Sequence, residues 1–365
     1  MWVEELTLKD YRNYKNQRVS FSRSLNFVVG ANGEGKTNML EALYLLATTK
    51  SHRMVSEKEL VRTNSDFFYL SCRLHDARVN TTVELGYSLS QKRKAAKISS
   101  VPVTRISELI GVLNVVLFAP EDLDLVKGSP SGRRRFLDVL LSQVDKVYFG
   151  LLQQYSRVLA QRNECLKAIQ LGRLKTLDLE PWTEQFIDLA LKISGRRHRA
   201  VSVLREEFAR LATQINQGKE SLLVEYIPSL VLEGTNQATH EQLSRLLTQE
   251  IKRGITLCGP HRDDLRFSIN SLPATDYASQ GQQRTAALAL KLAELAYMRY
   301  IRGEYPVLLL DDVLSELDAN RRAALIEVLS RDVQAIITGT ELVDLSPIHV
   351  KGNYQVIRIE QGKVM

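Results

Sequence analysis

Gly30-Ala31-Asn32-Gly33-Glu34-Gly35-Lys36-Thr37 is the stretch on which the fold of this 365-residue chain turns. It fills every position of G-x-x-x-x-G-K-[ST], the pattern of a loop that cradles phosphate. Its glycines let the backbone wrap closely, so that successive N–H groups converge on phosphate oxygens. Upstream, Leu25, Phe27 and Val29 alternate as in a strand; downstream, Met39, Leu40, Leu43, Leu46 and Ala47 recur as in a helix. Strand, loop and helix in that order bring the positive end of a helix to the loop. Lys36 sets a cation for the β- and γ-phosphates, and the Thr37 hydroxyl is a Mg²⁺ ligand. The candidate nucleotide-binding residues are therefore Gly30, Ala31, Asn32, Gly33, Glu34, Gly35, Lys36 and Thr37, with ATP and Mg²⁺ the expected ligands.

Such a loop needs a carboxylate at the end of a neighbouring strand. In Val307-Leu308-Leu309-Leu310-Asp311-Asp312, four apolar residues suit a strand covered on both faces, and two carboxylates follow. Asp311 is the candidate Mg²⁺ ligand and Asp312 the candidate for polarising an attacking water; with Lys36 they form the catalytic set. Aspartate also caps helices, but the apolar run and the distant phosphate loop favour the catalytic reading.

Asp311 lies 275 positions after Lys36. ABC-type ATPases have such a separation, because a helical lobe between the two motifs carries a signature turn. Ser279-Gln280-Gly281-Gln282-Gln283-Arg284 resembles that S-G-G-Q turn at the mouth of a helix, with Gln280 in place of one glycine. Ser279 and Gly281 would meet the γ-phosphate held by a second copy of the chain. Ser315-Glu316-Leu317-Asp318 falls at the D-loop position, which also lies on the dimer interface.

Periodicity agrees with that order. Residues 67–89 alternate as antiparallel strands. From 133 to 217 the period turns helical, with a break between Gly172 and Pro181 that suggests a helical hairpin. After 255 the α/β texture returns, with a helix over 281–302, a strand over Tyr305–Leu310, a helix over 320–330 and a strand over Val333–Ile337. The expected fold is α/β: an ABC-type P-loop ATPase head of mixed β-sheet and flanking helices, split by a helical insertion lobe without a long coiled coil. Residues 1–110 hold the P-loop part of the head, 111–255 the insertion, and 256–365 the part with the signature turn, the acidic strand and the D-loop.

Composition bounds the rest. With 44% hydrophobic residues the chain can bury a large core. No run approaches the roughly 20 apolar residues of a spanning helix, so no membrane partner is expected. Met1-Trp2-Val3-Glu4-Glu5 has neither the basic start nor the apolar stretch of a signal peptide. Cys72, Cys165 and Cys258 lie far apart and read as reduced core residues of a cytoplasmic protein, not as disulfides or a zinc site. A net charge of +7 fits a polyanionic partner without selecting one.

Longer strings narrow the choice. Residues 120–138 (Pro120-Glu121-Asp122-Leu123 through Gly132-Arg133-Arg134-Arg135-Phe136-Leu137-Asp138) and 309–325 resemble the two signature segments of the RecF family. Leu8-Lys9-Asp10-Tyr11-Arg12-Asn13-Tyr14, Lys50-Ser51-His52-Arg53 and Gly259-Pro260-His261-Arg262-Asp263-Asp264 are similar to further motifs of that family. The resemblance covers the whole chain. It implies an SMC-like ABC ATPase that dimerises with ATP bound and binds single- and double-stranded DNA, including gap junctions. It also implies weak, DNA-stimulated hydrolysis, and work with RecO and RecR to load RecA, supporting replication, gap repair and SOS induction. Gln91–Lys97 reads first as an exposed hairpin loop, and its cations, like those of Arg133–Arg135 and Arg196–Arg199, fit either a solvated surface or phosphate contacts. Arginines of the 133–135 run also have Glu121, Asp122 and Asp124 as possible partners. His52 and His261 fit supporting roles near the nucleotide better than general-base roles.

A transporter subunit would carry a standard L-S-G-G-Q and a glutamate after the metal carboxylate, and both are missing. The paired carboxylates argue against a scaffold without turnover. Another SMC-like repair ATPase would carry long arms or a C-x-x-C hook. The strand at 333–337 leads into Thr338-Gly339-Thr340 without a histidine, which makes Thr338 the substitute contact for the γ-phosphate. Asp312 stands where ABC enzymes usually have glutamate, one methylene longer, so the water is poorly placed. Steady-state hydrolysis should therefore run below about 10 s⁻¹, a typical enzyme turnover; a faster rate would refute this reading of Asp312.

Overall fold

The computed structural model describes residues 1–53, 55–76, 79–231, 236–329, 332–340 and 354–365. It resolves into two units: Met1–Leu123, Arg210–Glu220 and Arg284–Met365 form one, and Asp124–Ala209 with Ser221–Gln283 the other. In the first, β1 (Trp2–Tyr11) and β2 (Tyr14–Ser20) make a hairpin, β3 (Leu25–Val29) leads into the helix Lys36–Thr48, and β4 (Phe67–His75), β5 (Asn80–Ser88), β6 (Arg93–Ile98) and β7 (Val101–Pro102) follow. All but β3 form one antiparallel sheet, ordered β2-β1-β4-β5-β6-β7. Phe68, Leu70, Cys72 and Leu74 are buried on its inner face, as strict alternation requires. The basic segment 91–97 departs from the loop expected for it. Residues 93–98 are strand β6, in register with β5 through Gly86 and Ala95, and Lys94 Nζ donates to the Thr49 carbonyl at 2.9 Å. Lysine and arginine masked a period-two pattern whose inward residue is Ala96. β8 (Val115–Phe118), four apolar residues long, also escapes periodicity because so short a run carries no period.

The second unit holds the helices Pro130–Val144, Lys146–Gln170 and Asn236–Arg253 and most of the helix Glu180–Asn216. The Lys146 and Glu180 helices run antiparallel: Tyr148 faces Arg197, Tyr155 packs on Phe186 and Arg162 meets Thr183. A small sheet, ordered β11-β10-β9, joins them from β9 (Leu222–Ile227), β10 (Asp264–Ile269) and β11 (Leu272–Pro273). The unit therefore extends past the expected end at 255, because β10 pairs with β9 from Asp264 to Ile269. Arg162 lies in its core at 1% exposure, donating to Glu250 at 2.7 Å and to Thr256 at 2.7 Å.

The chain then returns to the first unit as β12 (Val307–Leu310), β13 (Ala335–Gly339), β14 (Tyr354–Glu360) and β15 (Lys363–Val364). A second sheet forms in the order β15-β14-β3-β13-β12-β8, parallel except at β15. Parallel strands end on one edge, so the P-loop after β3, Asp311 after β12 and Thr338 near the end of β13 share it. The helix Lys36–Thr48 touches β4 and β5 of one sheet and β8 and β13 of the other. Held between two sheets, it is buried on all sides from Met39 to Ala47, with no polar face.

The Arg162–Glu250 pair gives a stability test. Arg162→Met strands a buried carboxylate and should cost about 3–5 kcal/mol, whereas Arg162→Met with Glu250→Met should recover most of it. Denaturant midpoints decide, and an equal loss in both variants would refute the account.

Candidate functional site

The backbone of the P-loop is held from outside. A Cβ on Gly30 would stand 2.3 Å from the Ile359 carbonyl oxygen of β14, so only glycine lets the two strands approach this closely. Gly35, at φ 116°, caps the following helix in a conformation open to glycine, with Asn13 pressed against it. Asn13 Nδ2 donates to the Glu34 carbonyl at 2.8 Å, and Gly362 N donates to the same oxygen at 3.1 Å. Lys36 is 7% exposed, and its Nζ donates to the Gly30 and Ala31 carbonyls at 2.7 and 2.8 Å. A cavity of about 1020 Å³ opens beside the loop, lined by Gly30, Ala31, Asn32, Thr340, Arg358 and Lys363 among others.

Asp311 is the hub. Thr37 Oγ1 donates to its Oδ1 at 2.9 Å and Thr338 Oγ1 to the same oxygen at 2.8 Å. Its own N–H donates to the Phe118 carbonyl of β8 at 2.9 Å. Burial raises the Asp311 carboxyl above its ordinary range, opposed by the two hydroxyls and by the charge of Arg53, with Glu121 adding to the rise. Asp312 takes φ 54°, a left-handed conformation that aspartate tolerates better than longer side chains. Its N–H donates to Thr338 Oγ1 at 2.9 Å, and Ser315 Oγ donates to its carbonyl at 2.7 Å. Thr338 is 2% exposed and engaged with both aspartates. Its hydroxyl donates to the Asp311 carboxylate and accepts from the Asp312 N–H, which ties the end of β13 to both residues.

The string Leu8–Tyr14 and the string Lys50–Arg53 serve the P-loop helix. Arg12 donates to both oxygens of the buried Glu41 at 2.8 Å, and Ser51 Oγ to one of them at 2.5 Å. Arg53 reaches Asn38, and Asn38 reaches Asn13. Sequence reading missed Arg12, Asn13, Glu41 and Glu121 as site residues; the outward signal was a buried glutamate in an apolar helix, which demands an arginine.

In the second unit, Ser279 precedes the helix Gln280–Arg302 in a reciprocal cap. Ser279 N donates to Gln282 Oε1 at 2.7 Å and Gln282 N to Ser279 Oγ at 3.2 Å. Ser279 is exposed and Gly281 half-buried. One arginine from each of two basic runs turns inward. Arg133 is bidentate to Asp264 at 2.7 and 2.8 Å, and not paired with Glu121, Asp122 or Asp124. Arg197 donates to Asp138 at 2.7 Å, Asp263 at 3.0 Å and the Pro260 carbonyl at 2.6 Å. His261 sits against Tyr155 and Phe186, and burial lowers its pKa to about 4, so at neutral pH it is uncharged.

Comparison with known proteins agrees with this geometry. Residues 2–362 match the RecF/RecN/SMC N-terminal domain. The chain is similar to the DNA replication and repair protein RecF of Staphylococcus aureus strain JH9, 41% identical over 372 residues and covering 100% of both. It is also similar to a solved structure of the recombination mediator protein RecF with ATP in the RecFOR pathway, with TM-score 0.91, 33% identity and coverage of 100% of this chain and 97% of that one. The Smc head domain of Pyrococcus furiosus bound to the C-terminal domain of ScpA, at 16% identity and TM-score 0.57, shares the fold. No helix among the described residues is long and apolar enough to cross a membrane.

Asp311 carries the thermodynamic signature of a retained charge. Its folded pKa is raised, so between the ordinary carboxylate range and that raised value the fold binds the proton better than the unfolded chain, and stability falls as pH climbs through the window. Asp311→Asn should therefore stabilise the protein at neutral pH, by ~0.5–2 kcal/mol. A lower melting temperature for that variant would contradict the buried-charge account.

Proposed function

The chain belongs to the RecF family, and on that premise we propose that it is an ATP-gated DNA clamp of recombinational repair, acting in the cytoplasm. The observation that carries this reading is the meeting of Thr37 and Asp311 across 274 residues at 2.9 Å. One hydroxyl and one carboxylate in contact beside a P-loop form a two-ligand seat for Mg²⁺. Mg²⁺ when bound supplies positive charge to the β- and γ-oxygens of ATP. Lys36 turns from the Gly30 and Ala31 carbonyls to those oxygens, and the N–H groups of residues 30–37 line the phosphates. Thr338 holds Asp311 in place and Asp312 polarises the attacking water.

Ser279 and Gly281 at their helix N-terminus cap the γ-phosphate bound by a second copy, and the D-loop at Ser315–Asp318 meets that copy. Two such sites make the ATP-bound homodimer, which holds single- and double-stranded DNA at gaps. Slow, DNA-stimulated hydrolysis releases it. With RecO and RecR the clamp promotes loading of RecA and so supports replication and SOS induction. The short side chain of Asp312 suits this use, since a switch benefits from a long-lived bound state.

Lys36→Arg keeps the charge but not the reach. Hydrolysis should fall at least about tenfold, equivalent to ~1.4 kcal/mol in the barrier, with nucleotide affinity changed far less. Mass measurements should show a dimer with MgATP and a monomer without it. Wild-type hydrolysis by Lys36→Arg, or a monomer at saturating MgATP, would overturn the reading.

A further inference from the structure

Glycine gives the P-loop its close approach to phosphate and also its weakness. Gly33 and Gly35 sit at positive φ, 86° and 116°, and a peptide between such residues turns over with little resistance. A trans peptide sets its C=O and N–H on opposite sides of one plane. The direction of the Glu34 carbonyl therefore fixes that of the Gly35 N–H. With the carbonyl outward, the N–H faces the phosphate cradle. With the carbonyl inward, an oxygen would face the negative charge of the phosphates.

Two carbonyls of the loop are bonded from elsewhere in the chain. The Glu34 oxygen accepts from Asn13 Nδ2 at 2.8 Å and from Gly362 N at 3.1 Å. The Gly35 oxygen accepts from the buried Tyr14 hydroxyl at 2.8 Å, besides Met39 N of its own helix at 3.1 Å. Gly362 belongs to the two-residue turn between β14 and β15. Gln361 and Gly362 take φ 47° and 70° there, the positive values of a type I′ hairpin turn. The Glu34 side chain reaches the same turn, its Oε2 accepting from Gln361 N. One loop residue is thus latched twice, by carbonyl and by carboxylate, to successive N–H groups of one turn. The turn is itself anchored. Val364 N donates to Gln17 of β2 at 3.1 Å, and a Cβ on Gly362 would stand 2.5 Å from the Asn13 carbonyl oxygen. Lys36 lets go of the Gly30 and Ala31 carbonyls when it turns to phosphate. Tyr14 and the 361–362 turn hold the loop from its carbonyl side and have no need to move.

From this geometry we infer that the β14–β15 turn is a positioning element of the nucleotide site: latched to Glu34, it aims the Gly35 N–H at phosphate before any nucleotide arrives. The Tyr14 hydroxyl does the same for the Lys36 N–H. The inference rests on the reading of the P-loop as an ATP site, and adds to that site a turn 327 positions further along the chain. Donors that are already aimed lose less freedom on binding, so the latch acts on affinity. Loop N–H groups of this kind cradle the α- and β-phosphates, so MgATP and MgADP both depend on it. The hydrolytic step stays with Asp311 and Asp312.

The test titrates the full chain with fluorescently labelled MgADP, with MgATP as competitor, beside steady-state hydrolysis and melting without nucleotide. Glu34→Ala opens the carboxylate latch and should weaken both nucleotides about fivefold, the effect of roughly one hydrogen bond. Glu34→Gln, whose amide oxygen still accepts from Gln361 N, should recover most of that loss. Gly362→Ala forces the turn away from Asn13 and should weaken both nucleotides about tenfold. Its KM for ATP should rise in proportion while kcat changes far less. The melting temperature of Glu34→Ala without nucleotide should hold, while the rise that MgADP gives should shrink. If wild type binds neither nucleotide, the ATP reading fails and this positioning with it. If wild type binds and both Glu34→Ala and Gly362→Ala match its affinity, the ATP site stands and the positioning is wrong. An equal loss in Glu34→Ala and Glu34→Gln would place the charge itself on the nucleotide or its metal, which also overturns the latch. So would a loss confined to kcat, or a fall in melting temperature without nucleotide large enough to account for the weaker binding.

Discussion

The contact between Thr37 and Asp311 is the constraint that the first unit is built around. It joins the start of the P-loop helix to the end of β12, and Thr338 joins β13 to the same carboxylate oxygen. Three strand ends are thus tied to one atom. Parallel pairing of β3, β13 and β12 brings them to one edge, and two hydroxyl donors keep a buried carboxylate from standing alone. The arrangement is costly to hold, since burial opposes the charge of Asp311. A site that tolerates this penalty is one in which the charged form has work to do.

Around that atom the packing is unforgiving. The P-loop helix lies between two sheets and has no wet side, so its one internal carboxylate, Glu41, must be met by Arg12 and Ser51. Arg12 comes from the turn between β1 and β2 and Ser51 from just beyond the helix. The loop is therefore positioned by the antiparallel sheet as well as by the sheet that bears it.

In the second unit, conspicuous charge turned out to be internal. Arg133, Arg197, Asp263 and Asp264 look from their order in the chain like surface cations and a polar loop. They form a buried network with Asp138, Tyr148 and Tyr226 that holds the helices to β10. Arginine suits such a place, because its planar fork satisfies two oxygens at once and its charge is never lost. Removing one partner would strand a charge in the core, so these strings are held by folding demands and need no ligand to account for them.

Much of this was readable before any coordinates. The P-loop, the strand before it, the acidic strand and the helix after Ser279 are local events, each written in consecutive residues by glycine freedom, apolar runs and capping chemistry. Sequence order alone also determined the ABC arrangement, since a long helical stretch between phosphate loop and carboxylates has few other meanings. What only the tertiary structure decided is where side chains point when their partners lie a hundred or more positions away. It turned Thr338 toward Asp311, buried Arg133 and Arg197, gave Glu41 to Arg12, and set Arg18 and Lys97 in one row across five strands. Periodicity shows which residues share a strand face, but the register between strands is a long-range pairing, and no stretch of neighbouring residues encodes it.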